Sequence, residues 1–353
     1  MPQEPIQPNI PIGSEDRQRP TVPPPTVPSP TLSPPTLGSG SLIPSGLSRF
    51  RLTMLQAVRS DDDAWYRIVK SLGSGGSGSA FLVLCTGGKF IGNCFALKIL
   101  RQADKPLRAV RFKEELRFLR EQRDPGLAPI HDSGKFSWAG GEHPFFVTTY
   151  YPQTLRTAID QGSIDFCTAL LYIIQLLGTL RRLALLSPPV VHRDIKPGNI
   201  FVGGKVVILG DFGLLKRLEG TGTIDENDAE MMRESLEGAM PRAYRTPDLV
   251  RYARREAPLT VASDIYQVGL VAYEMLHDGF NPQKSSADKL APVELVPLRR
   301  LRGAEGDRVS DILHGMLSDN PLSRPTAAFA LQQLHVVLTE ALRKRIESVG
   351  ETL

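Results

Sequence analysis

A chain of 353 residues carries 42 Lys and Arg against 38 Asp and Glu, a formal charge of +4, too mild a surplus to make nucleic acid its main partner. Three cysteines, Cys85, Cys94 and Cys167, are too few and too scattered for a disulfide framework or a zinc site, and they fit a reducing, cytoplasmic setting. The nearest approach to a membrane span, Ala169 to Leu186, is broken by Gly178, Arg181 and Arg182; it falls short of the roughly 18–20 apolar residues a span needs and reads as a buried helix.

Residues 1–46 hold thirteen of the 29 prolines and a five-residue near-repeat, Thr21-Val-Pro-Pro-Pro, Thr26-Val-Pro-Ser-Pro and Thr31-Leu-Ser-Pro-Pro. Such a stretch lacks backbone donors and bulky apolar groups, so it is expected to be a disordered, polyproline-II-prone tail. It has neither the basic start nor the apolar core of a signal peptide. A docking ligand for a proline-binding module, a tail phosphorylated at Ser29 or Ser33, and a plain solvated leader are the open readings. Leu47 to Ala57 reads as a short mixed segment with helical character, within a linker of uncertain structure over residues 47–64.

From Trp65 the pattern turns to strands. Tyr66 to Lys70 alternates, Leu72-Gly73-Ser-Gly75-Gly-Ser-Gly78-Ser-Ala80 supplies a glycine turn, and Phe81 to Leu84 resumes the strand. Strand, glycine turn, strand is a setting in which backbone N–H groups can approach phosphate oxygens, because glycine has no Cβ in the way. The turn does not lead into a helix, which argues against a dinucleotide-binding βαβ unit. Phe95-Ala96-Leu97-Lys98 is a further strand. A helix from about Leu107 to Glu121 places Phe112, Leu116 and Leu119 on one stripe. His143 to Tyr151 is a strand, and a mostly apolar helix is expected near Asp165 to Leu186.

The chemistry concentrates in Val191 to Gly213, VHRDIKPGNIFVGGKVVILGDFG. Moving a γ-phosphoryl group asks for charge neutralisation, in-line positioning and a place for the incoming hydroxyl's proton. Asp194 can orient a hydroxyl and accept its proton, and Lys196 can hold the γ-phosphate. Asn199 and Asp211 supply oxygen ligands suited to hard Mg²⁺. Downstream, Glu219, Asp225, Glu226, Asp228, Glu230, Glu234 and Glu237 make the stretch to Asp248 acidic. A long apolar helix follows Ser263-Asp264-Ile-Tyr-Gln-Val-Gly269 to His277. Asn320-Pro-Leu-Ser-Arg324-Pro325 precedes a last helix, Thr326 to Ile346, whose Arg343-Lys344-Arg345 reads as a solvated end favoured by the helix dipole.

GSGGSG, FALK, HRDIKPGN and DFG, in this order along the chain, resemble the eukaryotic-type protein kinases, and Lys196 in HRDxKPxN resembles the Ser/Thr branch. The resemblance covers about residues 65–340. It implies an α+β, bilobal fold with a small β-rich lobe, 65–149, and a larger, mainly helical lobe, 152–340, followed by a helix end and tail over 341–353. It implies an enzyme that transfers the γ-phosphate of ATP, with Mg²⁺, to Ser/Thr hydroxyls of proteins, including itself. Gly73, Gly75 and Gly78 then cover the phosphates, with Leu72 and Ala80 beside the nucleotide. Lys98 contacts the α- and β-phosphates, and Ala96 leaves room for adenine. Glu115, with Glu114 as the competing choice, orients Lys98. Thr148 is the gatekeeper, and Thr149 and Tyr151 give hinge backbone contacts.

Arg193 before Asp194 resembles kinases whose active form needs an anion in the activation segment. The segment departs from the family: Ala239 stands where a Thr is usual, and Thr246-Pro247-Asp248 replaces APE. Asp248 is expected to pair with Arg324, and Asp264 to hold the backbone of the catalytic loop. The acidic carboxylates can stand in for a phosphate near Arg193, the competing reading being a solvated flexible loop. Otherwise Thr221, Thr223 and Ser235 are the candidate autophosphorylation sites. A pseudokinase scaffold and a small-molecule phosphotransferase of kinase-like fold stay open as alternatives.

Overall fold

Alternation of side chains along short strands builds the first part of the fold. The computed structural model describes residues 52–75, 78–138, 140–220, 222–238, 240–283, 293, 295 and 303–350. The chain divides into two units, Met1–Arg49 and Phe50–Leu353. The expectations for residues 1–46, Thr221 and Ala239 lie outside the described residues.

Six strands, β1 (Ala57–Arg59), β2 (Trp65–Gly75), β3 (Gly78–Gly87), β4 (Cys94–Ile99), β5 (Ile130–Trp138) and β6 (Gly141–Thr149), form one sheet in the order β1-β2-β3-β4-β6-β5. Every pairing is antiparallel. Because successive side chains point to opposite faces, Phe95, Leu97 and Ile99 of β4 enter a core with Tyr66, Val83 and Val147. Ala96 and Lys98 are thereby turned to the other face. There Leu100 and Phe146 pack against Phe112 of helix α1 (Pro106–Glu121). Register carries this face across to β6, where Lys98 pairs with Phe146 and Ala96 with Thr148. The helical character expected for Leu47–Ala57 is not seen in its described part: Leu52–Gln56 is not helical, and Ala57 opens β1. Its pairing with β2 satisfies that strand's outer edge, so the sheet begins ahead of Trp65.

The second lobe is helical. Its elements are β7 (Gln153–Thr154), α2 (Leu155–Asp160), α3 (Phe166–Ala184), β8 (Val190–Val191), β9 (Ile200–Gly203), β10 (Val206–Leu209), β11 (Lys216–Arg217), α4 (Glu226–Glu237), α5 (Pro247–Ala253), α6 (Ala262–Leu276), α7 (Gly303–Met316) and α8 (Ala327–Gly350). Helix α3 starts where the Asp165 side chain accepts from the Thr168 N–H at 2.8 Å, an N-cap. By length and composition alone α3 could cross a membrane, yet Leu170, Ile173, Leu176, Leu177 and Leu180 are buried in the core of this lobe. Helix α6 is buried from Ser263 to Leu276 and forms the centre of the lobe. Two small sheets, β10-β9-β7 and β11-β8, anchor the irregular segments between them. Val191 ends β8 just before His192, and Leu209 ends β10 just before Gly210.

Two expectations need correction. The acidic stretch is not a loop, since Glu226–Glu237 is α4. Asp225 caps it by accepting from the Asp228 N–H at 3.1 Å, and Ala229, Met232 and Leu236, at helical spacing, pack with Leu249 and Tyr252 of α5. The last helix runs on to Gly350, so Arg343-Lys344-Arg345 do not end it; they are exposed as expected, with Lys344 2.6 Å from Glu305 of α7.

Asp248 and Arg324 form the expected ion pair, 2.8 Å apart and almost wholly buried. The guanidinium also donates to the carbonyls of Ser318 at 2.8 Å and Ala262 at 2.9 Å. Removing one partner strands a buried charge. Arg324→Ala is therefore expected to destabilise the chain by about 3–5 kcal/mol in urea unfolding; a loss below about 1 kcal/mol would place the pair in the weak, solvated class.

Candidate active site

The loop after β8 is held by backbone contacts from α6. The carboxylate of Asp264 accepts the N–H groups of His192 at 2.7 Å and Arg193 at 3.0 Å, as expected for this residue. Burial pushes its carboxyl up to about 6, against those two hydrogen bonds. His192 is fully buried; its Nδ1 accepts from the Asp194 N–H at 3.2 Å and its Nε2 donates to the Gly210 carbonyl at 3.0 Å. That tautomer is neutral, in keeping with burial lowering the imidazole to about 4. Arg193 and Asp211 adopt left-handed backbone, at φ of 69° and 57°, a conformation that costs a non-glycine residue roughly 1–2 kcal/mol and is retained where the surroundings over-determine it.

Asp194, Lys196 and Asn199 converge. Lys196 Nζ donates to both Asp194 oxygens at 2.9 and 2.8 Å, and Asn199 Nδ2 donates to the Asp194 carbonyl and to its Oδ2, both at 2.9 Å. Burial raises the Asp194 carboxyl to about 6, with Lys196 pulling the other way. The amide nitrogen of Asn199 is thus committed to Asp194, which leaves Oδ1 as its donor atom for a cation.

Lys98 joins the two lobes. Its Nζ donates to both Glu115 oxygens at 2.7 Å and to Asp211 Oδ1 at 2.8 Å. Glu115 also accepts the Phe212 N–H at 3.1 Å. Glu114 pairs instead with Arg117 on the exposed side of α1. Burial favours the neutral form of Asp211, but Lys98 overcomes it and holds the carboxyl down at about 2. Burial likewise opposes the Lys98 ammonium, and Asp211 and Glu115 together raise it well above its ordinary value.

A cavity of about 240 Å³ is lined by Gly75, Glu115, Asp194, Lys196 and Asp211 among others. Of the other expected site residues, Leu72, Gly73, Gly78, Ala80, Ala96, Lys98, Thr149, Tyr151 and Asn199 do not line it. Within the sheet Gly73 pairs with Ala80, Ala80 with Lys98, and Phe95 with Thr149, while Tyr151 lies beyond the end of β6. Gly78 is required where it stands: its φ is 143°, and a Cβ would lie 2.4 Å from the Ile99 carbonyl oxygen. Thr148 shares the face of Ala96 and Lys98, although its hydroxyl donates to the Pro129 carbonyl at 2.8 Å. Tyr151 stacks on Phe201 of β9, with centroids 5.6 Å apart. The same ring leaves no space for a Cβ at Gly210, which would meet it at 2.4 Å.

Three residues carry more than the sequence reading assigned. Phe201 was not singled out. Gln267 of α6 is buried; its Oε1 accepts the Ile195 N–H at 2.9 Å, and its Nε2 donates to the carbonyls of Arg193 at 3.1 Å and Tyr244 at 3.2 Å. It therefore ties the catalytic loop to the end of the activation segment. A polar residue in the middle of an apolar helix was the available signal. Asp228, one of several acidic candidates, alone reaches Arg193, with Nη1 donating to Oδ2 at 2.6 Å and Nη2 to Oδ1 at 3.0 Å. Tyr252 donates its hydroxyl to the same carboxylate at 2.7 Å, and Lys216 lies 3.3 Å away.

A sheet lobe set on a helical lobe, with Lys98, Asp194, Asn199 and Asp211 meeting where they join, defines a kinase-like bilobal chain. The model of the protein kinase domain family matches residues 66–336, and the chain belongs to that family. It is 30% identical over 224 residues, 60% of the chain and 30% of the relative, to the probable serine/threonine-protein kinase PknB of Bifidobacterium longum. It is 28% identical over 288 residues to the serine/threonine-protein kinase cds1 of Schizosaccharomyces pombe, covering 77% of the chain and 58% of that protein. Over 212 residues it is 28% identical to the serine/threonine-protein kinase mos of Patiria pectinifera, with 58% and 55% covered. The matches thus span between 30% and 58% of these relatives' lengths.

Replacing Gln267 by Leu leaves the Ile195 N–H and two carbonyls without their partner, and a loss of about 1–3 kcal/mol in urea unfolding is expected. The Asp228 carboxyl is favoured neutral by burial, but Arg193 and Lys216 hold it well below its ordinary 3.8. A depressed folded-state value stabilises above the unfolded-state value and ceases to do so as the pH falls through the folded one. The gap in Tm between wild type and Asp228→Asn should accordingly be full at about pH 7 and narrow as the pH is lowered below about 4; a constant gap would refute the assignment.

Proposed function

We propose that the chain is an ATP- and Mg²⁺-dependent protein serine/threonine kinase. The observation that carries this reading is the single chain of contacts from Glu115 through Lys98 to Asp211, beside an Asp194 already held by Lys196 and Asn199. In the reaction the acceptor hydroxyl oxygen of a Ser or Thr attacks the γ-phosphorus, the bond from that phosphorus to the β,γ-bridging oxygen breaks, and ADP leaves. Asp194 orients the hydroxyl and takes its proton. Its carboxyl, raised to about 6, is ionised at neutral pH yet closer to the working pH than an exposed aspartate. Lys196 neutralises the γ-phosphate, and Lys98, fixed by Glu115, neutralises the α- and β-phosphates.

Gly73, Gly75 and Gly78 cover the phosphates by their backbone. Leu72, Ala80 and Ala96 bound the adenine, and the backbone of Thr149 and Tyr151 pairs with its edge. Among the described residues no group of three His, Cys, Asp or Glu side chains forms a self-sufficient metal cage. Two oxygen donors, Asn199 and Asp211, suit an ion that keeps waters and phosphate oxygens as its other ligands, which is the habit of Mg²⁺. Mg²⁺ bound there supplies neutralisation of phosphate charge. Protein hydroxyls are the substrate class, with Thr221, Thr223 and Ser235 the candidates for self-modification. For the proline-rich residues 1–46 the sequence alone leaves open a ligand for a proline-binding module, a phosphorylated tail and a solvated leader. The unpaired Cys85, Cys94 and Cys167 support a reducing, cytoplasmic setting.

Incubation with labelled ATP and Mg²⁺, alone and with a generic basic protein, tests the reading. Asp194→Asn should lower incorporation by about 100- to 10,000-fold while nucleotide binding persists. Nucleotide binding by the wild type without any incorporation would overturn the proposal in favour of a scaffold.

A further inference from the structure

We infer that Asp228 is a positioning residue for phosphoryl transfer, a built-in anion that holds the catalytic arrangement in place of a phosphate on the activation segment. The inference rests on the kinase reading above. Arg193 is 1% exposed and directly precedes Asp194. A buried guanidinium needs a counter-charge and acceptors for its N–H groups. Asp228 supplies the charge and a two-point grip. The remaining N–H groups go to the carbonyls of Leu214, through Nε, and of Leu215, through Nη2 at 3.3 Å. Those two residues directly follow Asp211-Phe212-Gly213, so the position of Arg193 fixes the exit of the segment that delivers Asp211 to Lys98.

Three elements make this grip specific. Lys216 of β11 is brought beside Arg193 by its pairing with Val191 of β8 and faces Asp228 at 3.3 Å. Tyr252 of α5 donates to Asp228 Oδ2. Arg111 of α1, whose Nη1 donates to Ser235 of α4 at 3.4 Å, connects the helix that carries Glu115 to the same region. Of the other carboxylates of the acidic run, Asp225 caps α4 and lies 3.9 Å from Lys216, Glu226 is exposed and 3.8 Å from Arg255, and Glu230 pairs with Arg233, so Asp228 alone grips Arg193. One carboxylate, anchored by the packing of Ala229, Met232 and Leu236, occupies the cation cluster of Arg193 and Lys216. A phosphate added to the segment would find the Arg193 guanidinium already paired and its N–H groups already engaged.

The test uses the full chain freed of phosphate by a phosphatase and verified by intact mass. Initial rates and ATP affinity are measured for wild type, Asp228→Asn, Asp228→Glu and the exposed control Glu230→Gln. Phosphate-free wild type should be active, and later phosphorylation should change its kcat by less than about twofold, small against the usual range of coupling between sites. Asp228→Asn should lower kcat by about tenfold or more with ATP KM little changed, the size of an ordinary coupling. Asp228→Glu should recover part of the loss, and Glu230→Gln should match wild type. Adding Asp228→Asn to Arg193→Gln should cost nothing further, which a general loss of stability would not reproduce. Wild type that is silent until Thr223 or Ser235 carries phosphate overturns the inference alone, even if Asp228→Asn fails to fold. Equal kcat for Asp228→Asn and wild type does the same. Wild type that transfers phosphate in neither state overturns the kinase reading and this inference with it.

Discussion

One ammonium shared by two carboxylates sets the geometry on which the rest depends. Lys98 comes from the sheet lobe, Glu115 from α1 and Asp211 from the helical lobe. With Glu115 almost fully buried, neither carboxylate is cheaply ionised without the ammonium, and the ammonium is not cheaply desolvated without both. The triplet therefore selects one spatial relation among three elements. It is better understood as a device for specificity than as a source of net stability, because desolvation offsets much of the attraction. Glu115 extends the relation by accepting the Phe212 N–H, which fixes the residue next to Asp211 as well.

Behind this triplet, α6 works as a template for irregular backbone. A loop carrying catalytic side chains has backbone groups that no ladder satisfies, and buried polar groups need partners. Asp264 and Gln267, one turn apart, supply them to His192, Arg193 and Ile195. The left-handed conformations of Arg193 and Asp211 sit at the two ends of this supported region. Strain of that kind survives only where several contacts act together: Asp264 and Asp228 on Arg193, Lys98 on Asp211. The Arg193 guanidinium links the two ends through the carbonyls of Leu214 and Leu215.

Much of this was legible in advance. The helices near Asp165–Leu186 and Ser263–His277 were found because their apolar composition is local information. The strand Phe95–Lys98 and the glycine turn before it were found from alternation and from glycine spacing. In the acidic stretch the density of charge masks a helical period. Ala229, Met232 and Leu236 behind an Asp225 cap are the signature of α4. The three residues of β1 are too few for any pattern, and only pairing with β2 makes them a strand. Gln267 stands within residues 264–269, where only Asp264 carries an expected role, since the value of the amide lies in what surrounds it.

The sequence by itself determined the kinds of side chain available and their order: a lysine on an alternating strand, a carboxylate on the following helix, and Asp194, Lys196, Asn199 and Asp211 close together in the chain. These are properties of short stretches, governed by spacing and by chemical type. Tertiary structure decided the partners. It chose Glu115 over Glu114, because α1 turns only one of two adjacent carboxylates inward. It chose Asp228 among seven acidic residues 35 positions beyond Arg193, and brought Lys98 to Asp211 across 113 positions. No local pattern encodes such choices. They follow from which surfaces pack together, and from the cost of leaving a buried charge without its counterpart.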